Sequence, residues 1–173
     1  MTYYFKYIAM RKIIYFILYV CLLASCASSN GVGQLSRKER QLQKQMHVRE
    51  ALANRHYIIN VSSAHPIKHP TIMLTSPYSL EVRGDTLISY LPFFGEAYNV
   101  PYGGGKGLNF TGIINEYEDV VVKPGEHQIR IGLRNEEDTY VYALTVFENG
   151  SSSIYVWMQQ RSEISFNGEV DIE

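Results

Sequence analysis

The chain has 173 residues, with 16 Lys and Arg against 17 Asp and Glu and a formal net charge of −1. This balance excludes a broad affinity for nucleic acid, which requires a strongly basic surface. The length suits one domain with a core large enough to be stable by itself.

The first 25 residues have the order of a bacterial signal peptide. Lys6, Arg11 and Lys12 form a basic flank, and an apolar run of about a dozen residues follows from Ile13 to Ala24. A helix needs about 20 apolar residues to span a bilayer, so a permanent transmembrane helix is disfavoured. Export is predicted, and cleavage leaves 13 of the basic residues against all 17 acidic ones.

The apolar run ends in Leu23-Ala24-Ser25-Cys26, which resembles the lipobox of bacterial lipoproteins. In such sequences cleavage occurs just before the cysteine, and its sulfur then carries a diacylglycerol. The alternative is a chance cysteine in an ordinary signal peptide. Cys21 is lost with the peptide, so a mature chain that keeps only Cys26 forms no internal disulfide. We predict membrane attachment through the lipid on Cys26, with residues 26–35 forming the anchor and a flexible tether.

An amphipathic helix is predicted over residues 36–55. A capping-box pattern starts at Ser36, and no Gly or Pro follows as far as Ala53. The apolar residues expected to face the domain include Leu42, Met46, Val48 and Leu52.

From residue 56 to residue 173 the apolar period changes to alternation, and turn residues recur about every ten positions. The clearest hairpin joins residues 140–147 to 154–158 through Asn149-Gly150. Residues 108–117 are predicted as one strand, and a bulge is expected at Asn167-Gly168. The predicted fold is mainly β, all-β or α+β: an antiparallel meander of about eight strands, curled or barrel-like, with one N-terminal α-helix.

Residues 92–110 are unusually rich in aromatic residues and glycine. One interpretation is a binding loop whose rings line a pocket or present a partner surface. The other is an ordered crossover whose rings complete one end of the core, as buried aromatic side chains commonly do. The candidate binding residues are Phe93, Phe94, Tyr98, Tyr102, Gly103, Gly104 and Phe110.

The stretches SYLPFFGEAY (89–98) and PYGGGKGLNF (101–110) resemble a family of uncharacterised envelope lipoproteins from Bacteroidetes, known only as a domain of unknown function. The resemblance continues in residues 74–76, 146–150 and 161–168, and it covers nearly all of the mature domain. It implies export and lipidation. Because the family has no assigned activity, it implies no catalytic residue.

The sequence gives little support for a catalytic, metal-binding or cofactor-binding motif. The GGGKG run lacks the Ser or Thr that follows the lysine of a P-loop. His65 and His69 are four residues apart, but the prolines between and after them prevent a helix, so a solvent-exposed loop is predicted there. The acidic residues at 116–119 and 136–138 are predicted to lie in solvated turns. No metal, no cofactor and no nucleic acid are expected, and no feature favours an enzyme.

The leading hypothesis is therefore a non-enzymatic binding or accessory lipoprotein of the outer membrane, on its periplasmic face rather than at the cell surface. It would contact an envelope protein or an apolar ligand through residues 92–110. One alternative is an envelope hydrolase acting on glycan or peptidoglycan, with Glu96 or Glu116 as acid or base. Another is a structural assembly lipoprotein, which a flat exposed apolar patch would indicate.

Overall fold

The computed structural model describes residues 36–99 and 106–171, in which one helix precedes nine antiparallel strands. The predicted signal peptide, the tether and Cys26 lie outside these residues. In the described part of the chain, no helix is both long enough and apolar enough to cross a membrane. The elements are α1 (Arg37–Ala53), β1 (His56–Pro66), β2 (Ile72–Arg83), β3 (Thr86–Leu91), β4 (Leu108–Ile113), β5 (Glu116–Lys123), β6 (Glu126–Arg134), β7 (Thr139–Phe147), β8 (Ser151–Met158) and β9 (Ile164–Val170).

All nine strands form a single antiparallel sheet in the order β4-β3-β2-β1-β9-β8-β7-β6-β5. Two meanders, β1 to β4 and β5 to β9, are joined where β1 pairs with β9. The sheet curls into a half-barrel, which confirms the predicted mainly β fold with one N-terminal helix. The two edges are formed by β4 and β5, although these strands are consecutive in the chain.

The prediction of one strand over residues 108–117 is wrong, because the chain leaves one edge of the sheet and enters the other within that segment. The chain is hydrogen bonded to the sheet on both sides of the point where it passes from β4 to β5. Ile114 N donates to Asp85 O at 2.8 Å, and Asn115 N donates to Gly132 O at 2.9 Å. An extended, alternating sequence reads the same whether it pairs with one neighbour or changes neighbours, so the crossing has no local signal.

The core lies on the inner face of the curled sheet. Along β7 every second residue is buried, and β8 alternates in the same way. Burying one Leu or Ile side chain fully contributes about 1.5–3 kcal/mol, so this face supplies most of the driving force for folding. The largest fully buried side chains are Tyr140, Tyr142, Phe166, Leu52, Ile59, Leu80, Leu87, Leu108, Ile129, Ile131, Leu133 and Leu144.

The C-terminal half of α1 joins this core through Val48 and Leu52, which are both buried. Leu42 and Met46, which the apolar pattern places near the same stripe, are exposed. Ion pairs hold the helix to the hairpin end of the sheet instead, from Lys44 to Glu169 and from Arg49 to Glu148. The helix is therefore attached to the sheet by a short apolar contact and by two ion pairs.

The predicted bulge at Asn167-Gly168 lies on the opposite strand. Val61 pairs with Gly168 and Ser63 with Asn167, so Ser62 of β1 is the extra residue. A Cβ atom at Gly168 would come 2.3 Å from the Asn60 carbonyl oxygen. Glycine is required at this position because the two backbones approach closely opposite the bulge.

Candidate functional site

The aromatic segment leaves the sheet after Leu91, where Pro92 follows the last residue of β3. It then runs beside the connection between β8 and β9. Ala97 forms an isolated antiparallel bridge with Arg161. Tyr98 N donates to Gln160 O at 2.8 Å, and Ser162 N donates to Glu96 O at 2.9 Å. The described first half of the segment is thus held by backbone hydrogen bonds.

The other side of that connection is fixed by a buried ion pair. The Arg161 side chain is 3% exposed and the Asp138 side chain 0%, with 3.4 Å between Nη1 and Oδ2. Oδ1 of Asp138 also accepts from the backbone N–H groups of Thr139, Gln159 and Gln160. Charge-assisted bonds of this kind are the strong ones, so the carboxylate ties the β6–β7 and β8–β9 connections together.

Glu137 extends this tie to the end of the aromatic segment. Its carboxylate accepts from Arg161 Nη2 at 3.0 Å and from Lys106 N at 3.0 and 3.1 Å. We call Glu137, Asp138 and Arg161 the buried brace, since together they fix three connections at one end of the sheet. The prediction of solvated turns is wrong for Asp138, because its carboxylate is enclosed by donors from a connection 21 residues away.

The phenylalanines of the segment belong mainly to the core. Phe93, Phe94 and Phe110 are all half-buried and pack against it. Phe110 lies 4.5 Å from Tyr140 between ring centroids, with 39° between the planes. A Cβ atom at Gly95 would come 2.8 Å from Phe93 Cζ and 2.3 Å from Ser162 Oγ, so Gly95 is needed for this packing.

Tyr98 is different, because its side chain is 67% exposed although its backbone is bonded to the β8–β9 connection. A ring of this size on a fixed backbone presents apolar area and a hydroxyl to solvent. The remaining candidates Tyr102, Gly103 and Gly104 lie outside the described residues.

A small cavity of about 100 Å³ opens beside Tyr98. It lies between the β1–β2 turn and the aromatic segment. Ligand pockets for drug-sized molecules have volumes of roughly 300–1,000 Å³, so this one suits a single side chain of a partner better than a whole apolar ligand. We call it the Tyr98 pocket, and it is lined by Ile67, Lys68, His69, Phe94, Gly95, Glu96, Tyr98 and Ser162.

Two residues that line the Tyr98 pocket form an exposed ion pair. Lys68 Nζ lies 2.8 Å from Oε1 and 2.9 Å from Oε2 of Glu96. The hydrogen bond with Glu96 is the main reason that the pKa of Lys68 is raised above its ordinary value. Lys68 therefore keeps its positive charge at physiological pH and lies side by side with the Glu96 carboxylate.

The carboxylates considered for a hydrolase are not brought together in the described residues. Glu96 is bound to Lys68 at the surface, and Glu116 is exposed at the start of edge strand β5. Asp138 is buried, but its carboxylate already accepts hydrogen bonds from the Gln160 backbone N–H and from Arg161. Among residues 36–99 and 106–171 there is also no group of three His, Cys, Asp or Glu side chains placed to hold a metal.

The sequence indicates the aromatic segment, but it does not indicate the residues that hold this segment in place. The sequence predicts a solvent-exposed loop over residues 65–70, which is confirmed for residues 67–70, whereas His65 and Pro66 are the last residues of β1. Arg161 has no local signal, because a lone arginine between polar residues reads as a surface residue. It reaches Asp138 because β7 and β8 pair on either side of the Asn149-Gly150 turn.

Residues 39–170 match the family described as a domain of unknown function, DUF4251. A crystal structure of a DUF4251 family protein from Bacteroides eggerthii has the same fold, with a TM-score of 0.57 and 14% sequence identity. The match covers 75% of this chain and 90% of that one. No curated protein sequence matches the chain. Because the family match spans most of the sequence, this chain belongs to the DUF4251 family.

Proposed function

We propose that this protein is a non-enzymatic accessory lipoprotein of the outer membrane, which binds another envelope protein through the Tyr98 pocket. The observation that carries the proposal is the pairing of an exposed Tyr98 ring with a backbone fixed by hydrogen bonds to Gln160. A ring on a backbone that is already fixed loses less conformational entropy on binding, and tyrosine is frequent among the residues that dominate interface energies.

The chemistry of the pocket favours a protein over an apolar molecule. Its lining includes the Lys68–Glu96 pair, and its volume of about 100 Å³ accepts one side chain. Protein interfaces combine a central aromatic anchor with a polar rim, and this arrangement is present in the pocket on a small scale. Membrane attachment through Cys26 and a periplasmic position are part of the same proposal, on the strength of the lipobox sequence.

The test is in-cell crosslinking of the tagged full-length chain, followed by detergent extraction and mass spectrometry. We expect one stoichiometric envelope protein to co-purify, and we expect Tyr98→Ala to remove it because the anchor ring is lost. The matched control is Phe147→Ala, which truncates another exposed ring at the opposite end of β7 from the buried brace. This control should retain the partner at the wild-type level.

A double alanine at Phe93 and Phe94 is unsuitable, because both rings pack on the core and their loss would disturb folding. Retention of the same partner by Tyr98→Ala would contradict the assignment of the pocket. Recovery of no protein with the wild-type chain would contradict the accessory role altogether.

Anchoring is tested separately with Cys26→Ser. We expect this change to abolish metabolic labelling of the chain by a radioactive or clickable fatty acid, because the acceptor sulfur is gone. Cys21→Ser is the matched control and should label normally, since Cys21 lies within the predicted signal peptide. Equal labelling of wild type and Cys26→Ser would overturn the lipoprotein assignment.

A further inference from the structure

Two exposed aromatic rings lie side by side on the outer face of the sheet, away from the aromatic segment. Tyr155 is 42% exposed and Trp157 is 45% exposed. They are two positions apart on β8, so both side chains point to the same face at a spacing of about 7 Å along the strand. Together they present two aromatic side chains to solvent on one face of the sheet.

The rings border an open groove that crosses β5 to β8. One part, of about 420 Å³, is lined by the two rings together with Val141, Ala143 and Arg130. The adjoining part, of about 470 Å³, shares Ala143 and Arg130 and continues across Glu118, Gln128 and Thr145. Arg130 and Ala143 line both parts, so the two hollows adjoin at these residues.

Tyr155 has a polar partner beside the groove. Interaction of its hydroxyl with the side chain of Glu163, which follows β8 in the chain, is the main cause of its raised pKa. A ring with such a partner loses less entropy on binding than a free one.

The charges of the groove cancel. Glu118 and Arg130 are directly opposite each other in the β5–β6 register, and both line the groove. A charged polymer would be attracted by one of these two groups and repelled by the other, whereas an uncharged ligand would meet no electrostatic repulsion. The charge pattern thus complements a neutral ligand.

The same side chains offer hydrogen bonds to hydroxyl groups. The Arg130 guanidinium only donates, the Glu118 carboxylate only accepts, and the Gln128 amide does both. Aromatic faces carry partial negative charge and attract the partly positive hydrogens of C–H groups. A molecule with C–H faces, many hydroxyls and no net charge is a carbohydrate.

We propose that the outer-face groove binds an uncharged polysaccharide chain, with its sugar rings stacked on Tyr155 and Trp157. An open, elongated groove of this kind accepts a chain that enters and leaves at both ends. The proposal is independent of the Tyr98 pocket, because the two sites share no lining residue.

Trp157 is the only tryptophan of the chain, so intrinsic fluorescence reports the groove directly. The full-length protein is extracted in a zwitterionic detergent, because detergents with sugar headgroups would compete. It is titrated with three neutral hexasaccharides: cellohexaose, maltohexaose and chitohexaose. We expect a saturable change of tryptophan emission with at least one of them.

The variants separate stacking from hydrogen bonding. Tyr155→Ala removes one ring and should weaken binding by about fivefold or more, whereas Tyr155→Phe keeps the ring and should stay close to wild type. Arg130→Ala should weaken binding by about tenfold, since hydrogen bonds from charged groups are the strong ones. Tyr98→Ala should bind as wild type does.

Absence of any emission change with all three hexasaccharides would overturn the proposal. An emission change of equal midpoint in wild type, Tyr155→Ala and Arg130→Ala would also overturn it, since the sugar would then bind elsewhere. Loss of a crosslinked protein partner from Trp157→Ala, without sugar binding by wild type, would assign the groove to a protein.

Discussion

Two aromatic regions of this molecule differ in how far their rings are exposed. The segment over residues 92–110 is the most unusual stretch of the chain, yet three of its rings are half-buried against the core. β8 has an ordinary alternating sequence, yet it exposes Tyr155 and Trp157. In this chain the aromatic-rich segment closes one end of the curled sheet. The exposed rings are instead identified by their positions on β8, because alternate residues of a strand point to the same face.

The largest effect is expected from breaking the buried brace that supports the first region. Arg161→Ala leaves the carboxylate of Asp138 buried without its counter-ion, which costs about 3–5 kcal/mol of unfolding free energy. Urea denaturation followed by circular dichroism measures the loss. The matched control is Lys68→Ala, which removes a cation from the exposed pair with Glu96 and should cost less than about 1 kcal/mol. Equal losses for the two variants would show that the brace stabilises the fold no more than a surface ion pair does.

The contrast between the two regions is tested by truncating one ring in each. Phe93→Ala removes a half-buried ring that packs on the core, so we expect a loss of about 1–3 kcal/mol in unfolding free energy. Trp157→Ala removes a ring that is exposed on the outer face and should change stability by less than about 0.5 kcal/mol. Thermal denaturation of both variants measures the two losses of stability. A larger loss for Trp157→Ala would reverse the roles of the two regions.

A smaller effect is expected inside the core, where a hydroxyl chain links three strands. Tyr142 donates to Ser89 Oγ at 3.1 Å, and Ser89 Oγ donates to the Leu108 carbonyl at 2.7 Å. Burial is the main cause of the raised pKa of Tyr142. Tyr142→Phe should cost about 1 kcal/mol, because one buried hydrogen bond is lost while the ring remains. Urea denaturation measures it, and an unchanged midpoint would mean that the hydroxyl contributes nothing.

The smallest effect concerns the pH dependence of the outer-face ring. The hydrogen bond to Glu163 raises the pKa of Tyr155 to about 12 from an ordinary value of 10.0. Between these two values the folded chain holds a proton that the unfolded chain has released, so this contribution to stability is present below pH 10 and is lost as the pH rises towards 12. Ring-carbon NMR titration should show the late pKa, and Glu163→Gln should lower it. A pKa unchanged by Glu163→Gln would contradict the assigned cause.

The fold is accessible to sequence reasoning wherever a local pattern determines it. The Asn149-Gly150 turn joins β7 to β8, and Gly150 has the positive φ of 90° that favours glycine. The end of β3 at Leu91 is likewise readable from Pro92. Such features depend on residues close together in the chain, and their physical cause is visible in the sequence.

Features that depend on distant pairing are not accessible in this way. The assignment of β4 and β5 to opposite edges follows from how the whole sheet curls, and no residue near Ile114 indicates it. The same holds for the candidate site, since Glu96 is hydrogen bonded to Ser162, 66 residues further along the chain, only when the whole sheet has formed. Alternation specifies which face of a strand is buried, but it does not specify the neighbouring strand.

Site-specific photocrosslinking in living cells tests the division between a protein site and a polysaccharide site most directly. A benzoylphenylalanine residue replaces Tyr98 in one full-length variant and Trp157 in another, and adducts are resolved by electrophoresis and mass spectrometry. We expect one discrete protein adduct from position 98 and none from position 157, because the first site is assigned to a protein and the second to a polysaccharide. No adduct from position 98, or the same adduct from both positions, would contradict that division.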